Sequence, residues 1–581
     1  MLKPIIAFAC LMQCATILHA QSANTTWSDE FKMRKGSTDL SVAYADETGL
    51  FVKEGHLALK SYFVIGATTR ESATLIKLDK SFKEEYRNDF NKELKGKNFE
   101  DFFFIGKKSY LLASDYNKKD KALELYACEI DKRSGELTGD WKSLSTITKD
   151  EKSDQLYVNF AYNSDSSKMI LVSTNKGKDK SSFEIDEFDD KMNKIGKTTQ
   201  ISNAYEPKTF QLEDVIYTVG GNIVMVGRVY DFAEGKKKKS KFLEFQNYNI
   251  QLYNNAGKLI KEINTDVDGK WLISSKVVQI PNKELVVAAF YSNGKKAKEI
   301  NGMMVQRVDV ATGNIISTSQ KELNTSMIST VTDDDDSNDE ESRQERKERE
   351  KLDKIKDDED GFSKYMRFRN FIYTEDNGIV MLAEKYHHYT YTTTTTRSSG
   401  MNSSMMRTSV QTYDVYECGD MMMSKIDAGG NINWLHVLPK NQREVIQTGS
   451  NSSSGTGLSF SMGSSYFSSF NFPFYAGLGS LSLPGKNMLA VLFNDNPKNE
   501  TVLQLGQKVK RADKFGRTGC TVVYLDAITG KYTRKMLFSN KDQPTAMPRF
   551  GVALGNDYYI VGKDDKILGK SKIAVGKIGF Q

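Results

Sequence analysis

SKVVQIPNKELVVAAFYSNGKKAKEINGMMVQRVDVATGN, residues Ser275–Asn314, holds one complete copy of the pattern that sets the fold. Ser275–Ile280 and Glu284–Tyr291 are rich in β-branched and apolar residues and are joined by the turn Pro281-Asn282-Lys283. A further β-type segment ends at Val308-Asp309, followed by Val-Ala-Thr-Gly313. An Asp at this place caps the turn with its side-chain oxygen, and Gly supplies the positive φ near its end.

The same ending recurs outward in both directions. It reads Leu78-Asp79, Ile130-Asp131 with Gly135, Phe188-Asp189 and Tyr253-Asn254 with Gly257. It continues as Ile426-Asp427 with Gly430 and Leu525-Asp526 with Gly530. The turns after Asp79 and Asp189 lack the glycine. A strand precedes most copies: Ser109–Ser114, Lys168–Ser173, Asn222–Val229, Gly378–Glu384, Asn487–Phe493 and Asp557–Gly562. Adding the strands on either side gives four antiparallel strands per unit. Such units, repeating at roughly 40–50 residues, predict the blades of an all-β propeller.

The count is eight, with seven as the alternative if the unit around Tyr162–Thr198 is irregular. The final segment, Lys572–Phe580, matches a third strand, and no fourth follows it. Trp27–Lys35 has no unit of its own and is expected to supply that strand, closing the ring and removing an exposed edge. Residues 21–581 are thus read as a single propeller domain.

Residues 1–20 read as a secretory signal peptide: Lys3, an apolar run from Pro4 to Leu18, and small Ala20 before Gln21 at the expected cleavage point. No later stretch approaches the ~20 apolar residues of a spanning helix. The expected location is outside the cytoplasm: periplasm, outer-membrane surface or secreted, in a bacterium. Cys128, Cys418 and Cys520 remain after the leader, too few and too scattered for a disulfide framework or zinc spacing, and read as buried strand residues. The net charge of +6 is spread over 81 basic and 75 acidic residues, so nucleic acid is not implied.

In an antiparallel blade with strands a to d, the a–b and c–d turns share one end, and the b–c turns and interblade links share the other. Every long excursion falls in the second set. Within blades these are Tyr116–Lys121, Asn175–Ser181, Asp231–Phe242, Asn293–Glu299, Tyr386–Asp414 and Asn494–Thr518. Between blades they are Leu323–Met366 and Gln442–Asn471. One face is therefore expected to carry all the elaboration, the usual place for a binding site on a rigid scaffold. Asp333–Asp360 is nearly all charge and reads as a solvated, disordered insertion. Tyr386–Met406 reads as a long extended hairpin, and Gly449–Gly477 as a flexible stretch with aromatic contact points.

Sites of chemistry are sparse. His387 and His388 are adjacent, so on a strand they face opposite ways and do not share a metal. His56 carries no motif, and His436, between Leu435 and Val437, reads as packed on a strand. There is no HExxH, G-x-S-x-G elbow or glycine-rich phosphate loop. Asn264, Asp266, Asp268 and Gly269 resemble half of a calcium loop, but Ser275 stands where the bidentate Glu is needed, so the stretch reads as a link. Lys236–Lys239 reads as a solvated hairpin tip. No catalytic, cofactor-binding or metal residue is assigned, and no cofactor is expected.

Leu525-Asp526-Ala-Ile-Thr-Gly530-Lys531 and Val308-Asp309-Val-Ala-Thr-Gly313 resemble the Asp-x-x-Thr-Gly turn of quinoprotein-type propellers. There a tryptophan follows and docks the neighbouring blade. Here only Trp434 and Trp141 follow a repeat turn, so the resemblance implies the architecture and not the quinone. Gly378–Tyr386, Tyr413–Gly430 and Trp434 with Pro439-Lys440-Asn441-Gln442 resemble uncharacterised secreted propeller proteins of Bacteroidetes, mainly over Phe368–Gln442. That resemblance implies fold and export but no site residues. The expected function is a binding or scaffold module that engages a protein or glycan through the elaborated face. The alternative is a carbohydrate-active hydrolase or lyase at the mouth of the central channel.

Overall fold

In a computed structural model the repeat turns close as the sequence predicts. Asp131 accepts the N–H groups of Arg133 and Ser134, and Asp526 those of Ile528 and Thr529. Asn254 serves the same turn through Ala256 and Lys258. The structure describes residues 23–32, 37–61, 67–151, 154–163, 165–202, 205–232, 243–264, 270–280, 284–294, 299–323, 362–363, 366–398, 406–452, 473–564 and 572–581.

Eight antiparallel sheets of four strands form the blades of a propeller. Blades 1 to 7 occupy residues 37–89, 98–148, 155–202, 210–264, 271–322, 366–438 and 479–539. The unit on which a seven-blade count depended, blade 3, is a regular sheet with an unbroken register between its first two strands. Blade 8 combines Thr545–Leu554, Asp557–Asp564 and Lys572–Phe580 with the N-terminal strand Ala23–Trp27. Ring closure is as expected, but the closing strand begins at Ala23, four residues before the expected Trp27. Among the later described residues, Phe31–Lys32 pairs again with the same strand. Trp27 fixes the register, because its indole lies where a β-carbon on Gly562 or Gly576 would stand.

First strands meet at the centre: Met366–Tyr373 touches both Trp271–Ile280 and Gly479–Leu483, and Ser37–Asp46 touches Thr545–Leu554. Eight apolar clusters fill the eight junctions between blades. Each buries one face of each of the two sheets it joins, so that every blade is buried on both faces, and this burial is the main stabilising term of the ring.

The repeat glycines have a second role. Gly135, Gly257, Gly313, Gly430 and Gly530 each lie against the outer strand of the preceding blade, with no room for a side chain. In the two turns without glycine, Phe82 and Met192 take the positive φ instead. Their side chains fill the junction with the previous blade, Phe82 against Tyr559 and Met192 in the cluster of blades 2 and 3. The turn is therefore a docking element as well as a reversal.

Candidate functional site

Over blades 6 to 8 the excursions build a substructure of their own. The hairpin strands Ile379–Ser398 and Met406–Ile426 pair as far as Ser398–Met406, the long extended hairpin read from the sequence. Gln442–Asn471 is expected from the sequence to be a long interblade loop. Its first part is instead a strand paired with the outer part of the hairpin, from Gln442–Cys418 to Ser452–Ser409. Its backbone also meets the blade 7 loop, since Arg443 donates to the Ala512 carbonyl and the Ala512 N–H donates to Asn441. Cys418, Ala476, Ala512 and Phe515 then form a ninth apolar cluster, with Tyr386 and Tyr475 against it.

Buried polar side chains fasten this layer to the ring. Glu444 accepts the N–H groups of Phe474, Tyr475 and Ala476 at 2.8–2.9 Å. Gln442 accepts from Gly477 and donates to the Asn494 carbonyl. Asn494 in turn donates to the carbonyls of Tyr475 and Ala546, tying blades 7 and 8 to the layer. Between the layer and blade 8 opens a cleft of about 910 Å³. Phe474, Tyr475 and Trp27 face it together with Asn540, Asp513 and Lys541.

On the first strand of blade 6 a bulge between Phe368 and Asn370 re-aims Arg369. Its Nε donates to Glu384 Oε2 at 2.8 Å, and its guanidinium lies 4.4 Å from the Tyr386 ring centre. The other Glu384 oxygen takes Lys440 Nζ at 2.5 Å, and both side chains are fully buried. Burial alone would raise the Glu384 carboxyl, but Lys440 and Arg369 outweigh it and hold it below the usual range. Blade 4 repeats the arrangement: a bulge between Leu212 and Asp214 presents Glu213, which binds Arg228 through two bonds of 2.6 Å. In blade 2 the corresponding bulge presents Glu100 to Ser114. Sequence reasoning missed these pairs. In blades 6 and 4 their signal is a charged residue, Glu384 or Arg228, late in an otherwise apolar second strand.

Two more arginines, Arg367 and Arg549, are largely buried. Burial depresses the Arg367 pKa, and Arg228 and Arg369 act in the same direction against Tyr248 and Glu213. Arg549, on the first strand of blade 8, is likewise depressed by burial, then by Arg369. Its side chain passes Gly477, the end of the segment that walls the cleft.

The histidines fall as the strand period requires. His388 Nε2 lies 3.1 Å from Asp414 and its ring stacks on Tyr416, while His387 on the other face lies 3.5 Å from Glu417. His436 packs between Trp434 and Tyr532, away from the elaborated face, and burial depresses its pKa. Cys128, Cys418 and Cys520 are buried free thiols on third strands. Burial pushes Cys418 up to about 12. Among the described residues no three His, Cys, Asp or Glu side chains are grouped to hold a metal ion, and no helix is long and apolar enough to cross a membrane. Ala20, Gln21, Lys236–Lys239, Asp266–Gly269 and Asp333–Asp360 lie outside the described residues.

No family model matches the chain, and no curated protein matches it. Among solved structures it is similar to the polysaccharide lyase Uly1, with 10% identity over 98% of this chain and 95% of that one, at a TM-score of 0.34. It is similar to a mutant of the Synechocystis apocarotenoid oxygenase at 9% identity, 87% and 93% coverage and a TM-score of 0.33. A third is the β-propeller domain of the trilobed protease from Pyrococcus furiosus, at 9% identity, 89% and 97% coverage and a TM-score of 0.29. At such scores the likenesses carry no activity to this chain. Its class, an eight-bladed propeller, rests on its own sheets.

Proposed function

We propose that this chain is an exported binding module that takes a glycan or protein ligand in the cleft of its elaborated face. The observation that carries the reading is the ninth cluster. Excursions from the hairpin, the interblade link and the blade 7 loop share a core, and the link and the loop wall a cleft against blade 8. Rigid walls reduce the ordering cost of binding. Export follows from the leader read at residues 1–20, and the resemblance of Phe368–Gln442 to secreted propellers of Bacteroidetes fits it.

The test is a binding panel of glycans and envelope proteins against residues 21–581, beside Gly516→Trp. Gly516 lines the cleft, and an indole there would project into it and obstruct that wall. A ligand held by the natural chain and lost by the variant supports the reading. Equal retention by both, or no ligand at all, overturns it.

A carbohydrate-active hydrolase or lyase is the second reading. The carboxylates of Asp513 and Asp542, which both line the cleft, favour it. Glu384 and Glu444 do not serve it, since ion pairs and three backbone donors occupy them. Chain shortening of a bound glycan, lost in Asp513→Asn, supports this reading, and intact glycan after long incubation removes it.

A further inference from the structure

The junction of blades 3 and 4 opens into a second cavity, of about 370 Å³. Its wall follows from register. Tyr157, Thr174 and Phe183 stand opposite one another on the first three strands of blade 3. Asn159 and Lys176 lie two residues along from Tyr157 and Thr174, so the strand period puts all five on one face. That face meets blade 4, because Val172 and Phe183 share the junction cluster with Phe210 and Val215. Lys176 ends the second strand of its blade, so the cavity opens beside the turn to the third strand, on the elaborated face. The Phe183 and Phe210 rings meet there edge to face, 6.4 Å apart at 80°, and make an apolar corner that suits a flat ring.

Lys176 supplies the charge of this cavity. It is half-buried, and among the described residues its Nζ donates to the Phe210 carbonyl alone, at a long 3.4 Å. Other lysines drawn into the ring hold a carboxylate: Lys53 has Asp101, Lys132 has Asp46 and Lys425 has Asp376. Lys176 has none, and no Asp or Glu among the described residues lines the cavity. Burial accordingly depresses its pKa with no opposing charge. A cation drawn out of water without a counter-charge is costly, and an anion that enters beside it offsets that cost. The Asn159 amide, on the same wall and partly exposed, makes no side-chain hydrogen bond among the described residues. One uncompensated cation matches one negative charge, and the volume is that of a small-molecule site.

We propose that this cavity binds a small aromatic monocarboxylate, with its ring against Phe183 and Phe210 and its carboxylate on Lys176. The site shares no residue with the cleft of blades 7 and 8 and stands independently of the reading given to that cleft.

The experiment is calorimetric titration of residues 21–581 with 3-phenylpropionate, indole-3-acetate, the neutral 3-phenylpropionamide and hexanoate. At least one of the two aromatic acids is expected to bind saturably at one site, with the amide and hexanoate at least tenfold weaker. Lys176→Met is expected to lose tenfold or more for the aromatic acids, at unchanged melting temperature, and to leave the weak binding of the amide as it was. Ser181→Trp, which places an indole in the cavity beside Lys176, is expected to abolish binding. Lys178→Met, at an exposed residue of the adjoining turn, and Gly516→Trp, in the cleft, are expected to change nothing. Equal binding of acid and amide, full affinity in Lys176→Met, or no saturable binding of either aromatic acid overturns the proposal. Hexanoate binding above both aromatic acids overturns the choice of an aromatic ligand. Loss of acid binding in Gly516→Trp with full affinity in Ser181→Trp moves the site to the cleft and overturns its placement here.

Discussion

A β-carbon placed on Gly530 would stand 2.7 Å from the Trp434 indole, because the repeat turn of blade 7 lies flat on the outer strand of blade 6. Trp434 is thus the floor on which the next blade's turn rests, and the His436 ring beside it completes that floor. Gly530 also has φ +72°, a conformation that costs any side chain.

Gly530→Ala therefore meets two penalties at once, a strained backbone and an overpacked junction. The expected loss is about 2–4 kcal/mol by the usual costs of each. Gly555, also at positive φ but with nothing near its β-carbon site, meets only the first. Gly555→Ala is expected to lose about 1 kcal/mol. Urea unfolding of the two variants checks the difference, and equal losses would remove the docking role assigned to the repeat turn.

The repeat was legible because each Asp turn is a local event. Asp131, Asp309 and Asp526 bind backbone groups two or three residues on, so a few letters specify the whole interaction. Strand order, blade count and the side on which the excursions stand then follow from alternation. What was not legible depends on partners far along the chain. Gln442–Ser452 reads as a loop by composition, and it is a strand because the hairpin offers it an edge. Lys440 stood out only within a resemblance, yet its ammonium is buried against Glu384, 56 residues away. Arg369 and Arg549 lie 180 residues apart, and nothing local in either stretch announces the other. The closing strand was found by its role, and its register is set across the ring junction, where Ala23 pairs with Phe580.

That junction can be tested at Trp27, which packs edge-on to Phe538 at 5.6 Å and covers Gly562 and Gly576. Trp27→Ala leaves this groove empty, with an expected cost of about 3 kcal/mol. Removing Ala23–Trp27 altogether also bares the edge of Lys572–Phe580, so that variant is expected to aggregate on mild heating. Light scattering during a thermal ramp separates the two effects. A truncated chain that melts like the natural one and stays monomeric would show that ring closure contributes nothing.

The buried pair under the elaborated face gives a third expectation. Lys440→Met leaves Glu384 with Arg369 as its remaining ion-pair partner and is expected to cost about 3–5 kcal/mol, the usual penalty for breaking a buried pair. Glu384→Gln strands both cations and is expected to cost as much. The double variant should lose less than the sum, by a coupling of about 1–3 kcal/mol. A double-mutant cycle by urea unfolding reads this directly. Strict additivity would mean that the two side chains do not stabilise one another.

The acid sensitivity of the ring traces to its turns. Hydrogen bonds from Thr312 hold the Asp309 carboxyl below its ordinary value, and those from Arg133 and Ser134 do the same for Asp131. A carboxylate whose folded pKa lies below its unfolded value of ~3.9 contributes stability above that pH, and the contribution is lost as pH falls through the folded value. Asn254 shows that the turn also closes with an amide, which carries no such dependence. Asp309→Asn should therefore fold with its turn intact and melt at or slightly below the natural chain at pH 7. The gap between the two should narrow as pH falls from 4 towards 2. Melting curves across that range check the sign. A gap that widens towards low pH would mean that the Asp309 carboxylate is worth more protonated than ionised, contrary to the hydrogen bonds that it accepts.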